Sequence, residues 1–438
     1  MKSIQLEFEF ETSLFDKIMN TDNLRKAFKL VKKNKGAPGI DGITIEAFEQ
    51  NLEEELSQLR HEVQSWSYKP TPVRRVEIPK PNGKGTRNLG IPIIKDRVLH
   101  MAIKMVLEPI LEPTFSDHSY GFRSGKNQQQ AVQAAKQIVE SGKEYIVDID
   151  LSKFFDRINH DRLIHRLKTH IDDKRILRLI GMILRSGVMI DGVKTPTEEG
   201  SVQGSPLSPL LSNVVLDELD KELEQRGLEF CRFADDCNIF VTTERAAGRI
   251  MASIKKFIEN KLKLKVNEDK SKTAKSDQVK FLGMTIVKGT IAISKAALNK
   301  AMEKVKELIP RGTHLSIDQA VEKINSWYKG WASYFKMTQY PAQLRSIEAH
   351  IRRRLRARVV VQQKQKRNLV AKLIKRGVAG SHARRTVYTN RKTWYLSHTK
   401  AVEKAFPNKW FTDILKQTIM SDKNLDHWFG KEIWVKLT

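Results

Sequence analysis

Cys231-Arg-Phe-Ala-Asp-Asp-Cys-Asn-Ile-Phe-Val241 decides how this chain is read. Two adjacent carboxylates, Asp235 and Asp236, are framed by aromatic, β-branched or small residues, with no Pro or Gly. The pattern predicts two short strands meeting at a tight turn whose tip carries both acids. Acids on such a tip serve as a solvated hairpin turn or as ligands for hard divalent cations, which take carboxylate oxygens at fixed distance.

A second acidic strand end lies at Val147-Asp-Ile-Asp150. Alternation along a strand puts Asp148 and Asp150 on one face, and Asp150 comes last, just before Leu-Ser-Lys-Phe-Phe155. Three carboxylates brought together repel one another and persist as anions mainly when a divalent ion binds them. That arrangement serves in-line phosphoryl transfer, one ion activating a hydroxyl and the other stabilising the leaving pyrophosphate.

Composition narrows the partners. The 438 residues are 40% hydrophobic and 29% charged, ordinary values for a folded chain of several domains. With 78 Lys and Arg against 51 Asp and Glu, the net charge is +27, a field that attracts nucleic acid. No apolar run approaches the ~18 residues of a membrane span, so no membrane partner is expected. The acids in Met1–Phe10 do not suit a secretion signal. Cys231 and Cys237 are the only cysteines, which excludes a disulfide framework or a zinc site and implies reduced thiols in a cytoplasm.

Residues 12–66 read as helices interrupted at Asn34-Lys-Gly-Ala-Pro-Gly-Ile-Asp-Gly42, and 73–80 with 86–92 read as a hairpin. Helical periodicity marks 96–114, 126–142, 161–186, 206–226 and 244–262, with a strand at 144–150. Beyond about 293 the chain turns to basic amphipathic helices near 294–309, 316–335 and 341–367. Residues 341–400 hold seventeen Lys and Arg and one acid, Glu348, too one-sided for a salt-bridged face and suited to phosphate.

In order along the chain stand Gly36-Ala-Pro-Gly-Ile-Asp-Gly42, Arg75-Val-Glu-Ile-Pro-Lys80, Arg87-Asn-Leu-Gly-Ile-Pro92, Ser119-Tyr-Gly-Phe-Arg123, Val147–Asp156, Gln203-Gly-Ser-Pro-Leu-Ser-Pro209, Phe233-Ala-Asp-Asp236, Leu264–Lys270 and Phe281-Leu-Gly283. This series resembles the motifs of reverse transcriptases, specifically the bacterial group II intron-encoded type (maturases), over roughly residues 20–290. The resemblance implies an α+β right-hand polymerase of fingers, a palm with an antiparallel sheet and a helical thumb, plus a small helical C-terminal domain. It places an N-terminal helical extension and the start of the fingers at 1–66, fingers and palm at 67–290, a helical thumb at 291–370 and a basic DNA-binding domain at 371–438.

The resemblance also implies residue roles. Asp150 and Asp235 would hold two Mg2+ ions with Asp236 in support, while Asp148 is structural. Lys80 and Arg87 would clamp the dNTP triphosphate, and Gln203 would seat the nucleotide. Phe154 would lie under the sugar and block a ribose 2′-hydroxyl; the other reading of this residue is core packing beside Phe155. Lys270 would give a proton to pyrophosphate or be a plain surface lysine. Phe281 and Gly283 would support the primer, and Arg352, Arg353, Arg354 and Arg356 would face nucleic acid. Trp327, Tyr328, Trp331, Tyr334 and Phe335 repeat at helical spacing as core.

The expected activity is RNA-directed DNA polymerisation from a primer 3′-hydroxyl, with maturase work on intron RNA for splicing and retrohoming into DNA. A co-opted enzyme of repair or phage defence, or a non-catalytic RNA-binding splicing factor, are the rival readings. No His-Asn-His endonuclease region follows the basic segment, so target-strand cleavage is not expected. The chain departs from the family habit at Phe233 (usually Tyr), Val202 (usually Pro) and Ser205 (usually Gly), and its fingers turn is one residue longer.

Overall fold

Where the chain can turn is fixed by its glycines, prolines and capping side chains, and what it buries is fixed by the apolar runs between them. A computed structural model describes residues 13–79, 86–190, 193–195, 199–202, 204–310, 316–389 and 392–410. The chain divides between Lys275 and Ser276 into two compact units. The described strands are β1 (Val73–Pro79), β2 (Thr86–Ile91), β3 (Tyr145–Ile149), β4 (Val188–Ile190), β5 (Val193–Thr195), β6 (Glu229–Phe233), β7 (Asp236–Val241), β8 (Lys272–Lys275), β9 (Met284–Val287) and β10 (Thr290–Ile293).

In the first unit the Gly- and Pro-rich stretch from Asn34 to Gly42 ends the Thr21–Lys33 helix. The next helix starts at Ile45, with the Thr44 hydroxyl accepting from the Ala47 amide at 3.2 Å. Arg97, on the Ile94–Leu111 helix, ties that stretch down by donating to the carbonyls of Ala37 and of Pro92 (2.8 Å to the latter). The expected hairpin of β1 and β2 forms, and β1 also pairs in parallel with β4, giving a sheet ordered β2-β1-β4-β5.

The second sheet is antiparallel and ordered β6-β7-β3-β8. The helices Gln128–Glu140, Ser208–Gln225 and Glu244–Asn260 pack against it. Val147, Ile149, Phe230 and Ile239 are buried in its core. Ile146, Phe240 and Cys231 on the other face are buried as well, and at about 1.5–3 kcal/mol per large apolar side chain burial holds the sheet. Along the outer side of β6 runs a short strap: the Arg232 amide donates to the His118 carbonyl at 2.9 Å, and the Tyr120 amide to the Arg232 carbonyl at 2.8 Å. The opposite edge is β8, which the sequence did not signal because Lys272-Thr-Ala-Lys275 has no apolar face. The helix expected over 161–186 is two, since the Asp173 carboxylate caps a new start by accepting from the Arg175 amide at 3.0 Å.

The second unit opens with the β9–β10 hairpin and continues as helices, among them Lys295–Leu308, Ile317–Phe335, Pro341–Gln362, Lys366–Lys375 and Gly380–Thr389. Side chains, not another strand, finish β10: the Gln343 amide accepts from the Ile293 N–H at 2.8 Å and donates to the Ile293 carbonyl at 2.9 Å. The helix expected to run to 367 stops at Gln362 and restarts at Lys366, without Gly or Pro to announce the break.

Candidate active site

The turn between β6 and β7 is a two-residue hairpin. Phe233 pairs with Asp236, so Asp236 is the first residue of β7 and only Ala234 and Asp235 form the tip. This corrects the expectation that both acids sit at the tip. Ala234 takes a positive φ of 56°, which alanine adopts at a cost of ~1–2 kcal/mol. The opposite acid is placed by register: the ladder's last pair is Ile149 with Cys237, so Asp150 leaves β3 at the same end of the sheet at which Asp236 enters β7. Asp148 stands within the ladder, opposite Asn238 and Lys272.

Residues 264–271 wrap Asp150. Its amide donates to Ser271 Oγ (3.0 Å) and its carbonyl accepts from the Asn267 amide (2.8 Å). Its carboxylate accepts from Asn267 Nδ2 at 3.1 Å, and Lys270 Nζ lies 3.1 Å from Oδ2 and 3.2 Å from Oδ1. Lys270 is therefore at the site, on a side chain 62% exposed. An ion pair so open to water contributes at most about 1 kcal/mol, so another cation can displace it readily.

Among the described residues no three His, Cys, Asp or Glu are gathered as a ready-made cation site. The donor chemistry nonetheless suits a hard divalent ion, because Asp150, Asp235 and Asp236 offer only oxygen. The nearby thiols are no alternative: burial pushes Cys231 up to about 12 and Cys237 also well above the usual thiol range.

Lys80 and Gln203 lie outside the described residues, as does the side chain of Arg87, whose backbone pairs with Ile78 in the β1–β2 hairpin. Val202 and Gly204, the described neighbours of Gln203, are each closely packed. Ser208 Oγ donates to the Val202 carbonyl at 2.7 Å, and a Cβ on Gly204 would meet the Gly90 carbonyl oxygen at 2.3 Å. Ser205, one of the departures from family habit, has a partner of its own, for its hydroxyl is 2.9 Å from His100 Nδ1. Burial drives His100 down to about 3, so the ring is neutral where it shares this hydrogen bond.

Phe154 is 3% exposed and packs edge-on to Phe155 with ring centres 5.2 Å apart, the core placement. In the second unit Phe281 is buried, and the Leu282 carbonyl accepts from the Tyr334 hydroxyl at 2.5 Å. Trp327, Tyr328 and Trp331 stack along their helix and pack, partly buried, against the core of the second unit, and Phe335 is buried against Trp331. Two of the four expected nucleic-acid arginines are corrected. Arg354 is buried and donates to the carbonyls of Ile309 and Lys306, and Arg356 is buried on the Phe406 carbonyl and Asn408. Arg352 lies 3.8 Å from Glu348, and Arg353 lies over the Trp394 ring at 4.1 Å.

Sequence reasoning missed Arg232, Asp220, Asn213 and Gly121, which lie beneath the acidic turn. A lone arginine inside an apolar strand was the available signal.

Residues 78–286 match the family described as reverse transcriptase (RNA-dependent DNA polymerase), and residues 298–377 match the group II intron maturase-specific domain. The chain belongs to the group II intron reverse transcriptase and maturase family. It is 33% identical to protein YkfC of Escherichia coli over 306 residues, spanning 60% of this chain and 80% of that one. It is 27% identical to the group II intron-encoded protein LtrA of Lactococcus lactis over 421 residues, 77% of this chain and 70% of the relative. Against the putative COX1/OXI3 intron 1 protein of Saccharomyces cerevisiae the identity is 32% over 219 residues, 50% of this chain and 26% of that protein. By this membership the chain is an α+β right-hand polymerase, an RNA-directed DNA polymerase joined to a maturase region, and its partners are nucleic acid and dNTPs. The reverse transcriptase family works with divalent metal.

Proposed function

We propose that Asp150 and Asp235, supported by Asp236, hold two Mg2+ ions in a centre that extends a primer 3′-hydroxyl along an RNA template. One observation carries the reading: the strand register, whose last pair is Ile149 with Cys237, brings Asp150 out of β3 at the same end of the sheet as the turn bearing Asp235 and Asp236. Bound there, magnesium would supply activation of the hydroxyl and stabilisation of pyrophosphate. The chain's own residues do the rest. Asn267 and Ser271 fix where Asp150 points, and Lys270, already beside that carboxylate, is placed to pass a proton to the leaving pyrophosphate once it is freed. Lys80 and Arg87 supply the triphosphate clamp and Gln203 the nucleotide seat, and the burial of Phe154 favours a packing role. Intron RNA is the proposed maturase substrate and a DNA target the proposed acceptor, in a bacterial cytoplasm. Among the described residues no helix is long and apolar enough to cross a membrane.

The test is primer extension on an RNA template with dNTPs and magnesium. Long products are expected from the parent and none from Asp235→Ala; a parent without metal-dependent extension sinks the polymerase centre.

A further inference from the structure

Arg232 is wholly buried, and so is its partner Asp220. Its Nε donates to Asp220 Oδ1 at 2.7 Å and its Nη2 to the other carboxylate oxygen, a bidentate pair. The remaining terminal nitrogen, Nη1, does something else. It donates to the Ala234 carbonyl at 3.0 Å and to Asn213 Oδ1 at 3.2 Å. Asn213 in turn donates through Nδ2 to the Gly121 carbonyl at 2.9 Å. Gly121 abuts the turn from the other side, where a Cβ would meet the Ala234 nitrogen at 2.2 Å and the Phe233 carbonyl carbon at 2.9 Å.

These contacts fall on the two peptide planes that flank Ala234. Gly121 packs on the Phe233–Ala234 peptide. Arg232 holds the carbonyl of the Ala234–Asp235 peptide, whose nitrogen belongs to Asp235. Rotation of that second plane changes the backbone of Asp235 and with it the direction of its carboxylate. Alanine at φ 56° has reason to relax, so a turn left to itself would not keep this geometry. Apolar residues of similar volume commonly replace a buried ion pair without loss of stability. Core packing alone therefore does not account for a guanidinium at this position.

We propose that Arg232, oriented by Asp220 and Asn213, is a positioning residue that clamps the Ala234–Asp235 peptide and so aims Asp235 at the metal centre. This rests on the reading of Asp235 as a metal ligand. It assigns a role to a residue that touches neither primer nor nucleotide.

The deciding variant is the pair Arg232→Met with Asp220→Leu, which removes both charges and refills the space; Asn213→Ala, which leaves the ion pair intact, accompanies it. Each full-length protein is checked for its melting transition, then for kcat, dNTP KM and the Mg2+ concentration giving half-maximal extension. Misaiming one ligand predicts a kcat at least ~10-fold lower and a magnesium midpoint several-fold higher, with dNTP KM within about 2-fold of the parent. A folded double variant with the parent's kcat and magnesium midpoint overturns the proposal and leaves the polymerase reading standing. A parent that extends no primer removes that reading and this one with it.

Discussion

His100 shows how one buried side chain can tie the segment around Ser205 to solution pH. Its ring is neutral in the fold because burial lowers its affinity for a proton to about 3, while in the unfolded chain it titrates near 6.5. Between those values the unfolded state binds the extra proton. The stability from this group is therefore complete above about pH 6.5 and is lost as pH falls, at roughly 1.4 kcal/mol per unit. His100→Asn keeps a hydrogen-bonding side chain for Ser205 and removes the titration. The variant should unfold at a nearly constant denaturant midpoint from about pH 6.5 to 5 while the parent declines; parallel declines would show that other groups set the acid limit. The residue scale is also where the sequence was most legible. Asp150 and Asp235 announce themselves because strand alternation and a paired acid are local patterns. Asp236 was misplaced by one position because a two-residue turn leaves no Gly or Asn mark when alanine takes the positive φ. Arg232 stayed hidden because its partners lie 12 and 19 residues away on another element.

Between elements, the decisive contact is the approach of the 119–123 segment to the β6–β7 turn. A methyl group at Gly121 would collide with backbone, which cannot swing aside as a flexible side chain can. Gly121→Ala should therefore move the acidic turn and reduce extension ~100-fold or more, since catalysis tolerates little misplacement of its groups. Near-parental kcat in a steady-state assay would mean the turn yields without consequence. Sequence showed both segments as motifs, yet only the fold shows that they touch. The long basic helix teaches the reverse lesson. Ile347, Ile351, Leu355 and Val359 form a buried stripe at four-residue spacing, and Arg354 and Arg358 sit immediately before two of those positions, hence inside. The spacing was visible in the sequence; the dense run of arginines drew attention to charge instead.

For the molecule as a whole, a charge of +27 predicts binding to polyanions, and burial sorts which cations take part. Lys364, Lys366, Arg367, Lys375, Arg384 and Arg385 are exposed, whereas Arg354 and Arg356 are committed to carbonyl groups inside the second unit. Replacing Arg384 and Arg385 together by Ala should flatten the logarithmic dependence of RNA affinity on salt by about 1–2, with melting unchanged. Arg354→Ala should do the opposite, lowering stability by roughly 2–3 kcal/mol through its lost carbonyl contacts while the salt slope stays parental. Fluorescence anisotropy across a salt series, paired with thermal melts, separates the two; an unchanged slope in the Arg384 and Arg385 variant would remove this surface from RNA binding.

The strap from His118 to Tyr120 has one more consequence. A sheet that ends in a bare strand invites a strand from a neighbouring molecule and, from there, aggregation. Here the outer side of β6 already has backbone partners at Arg232, and β8 on the far side carries Lys272 and Lys275, both exposed. The sheet that holds the acids is thus guarded against self-association at both margins: by main chain on one and by charge on the other.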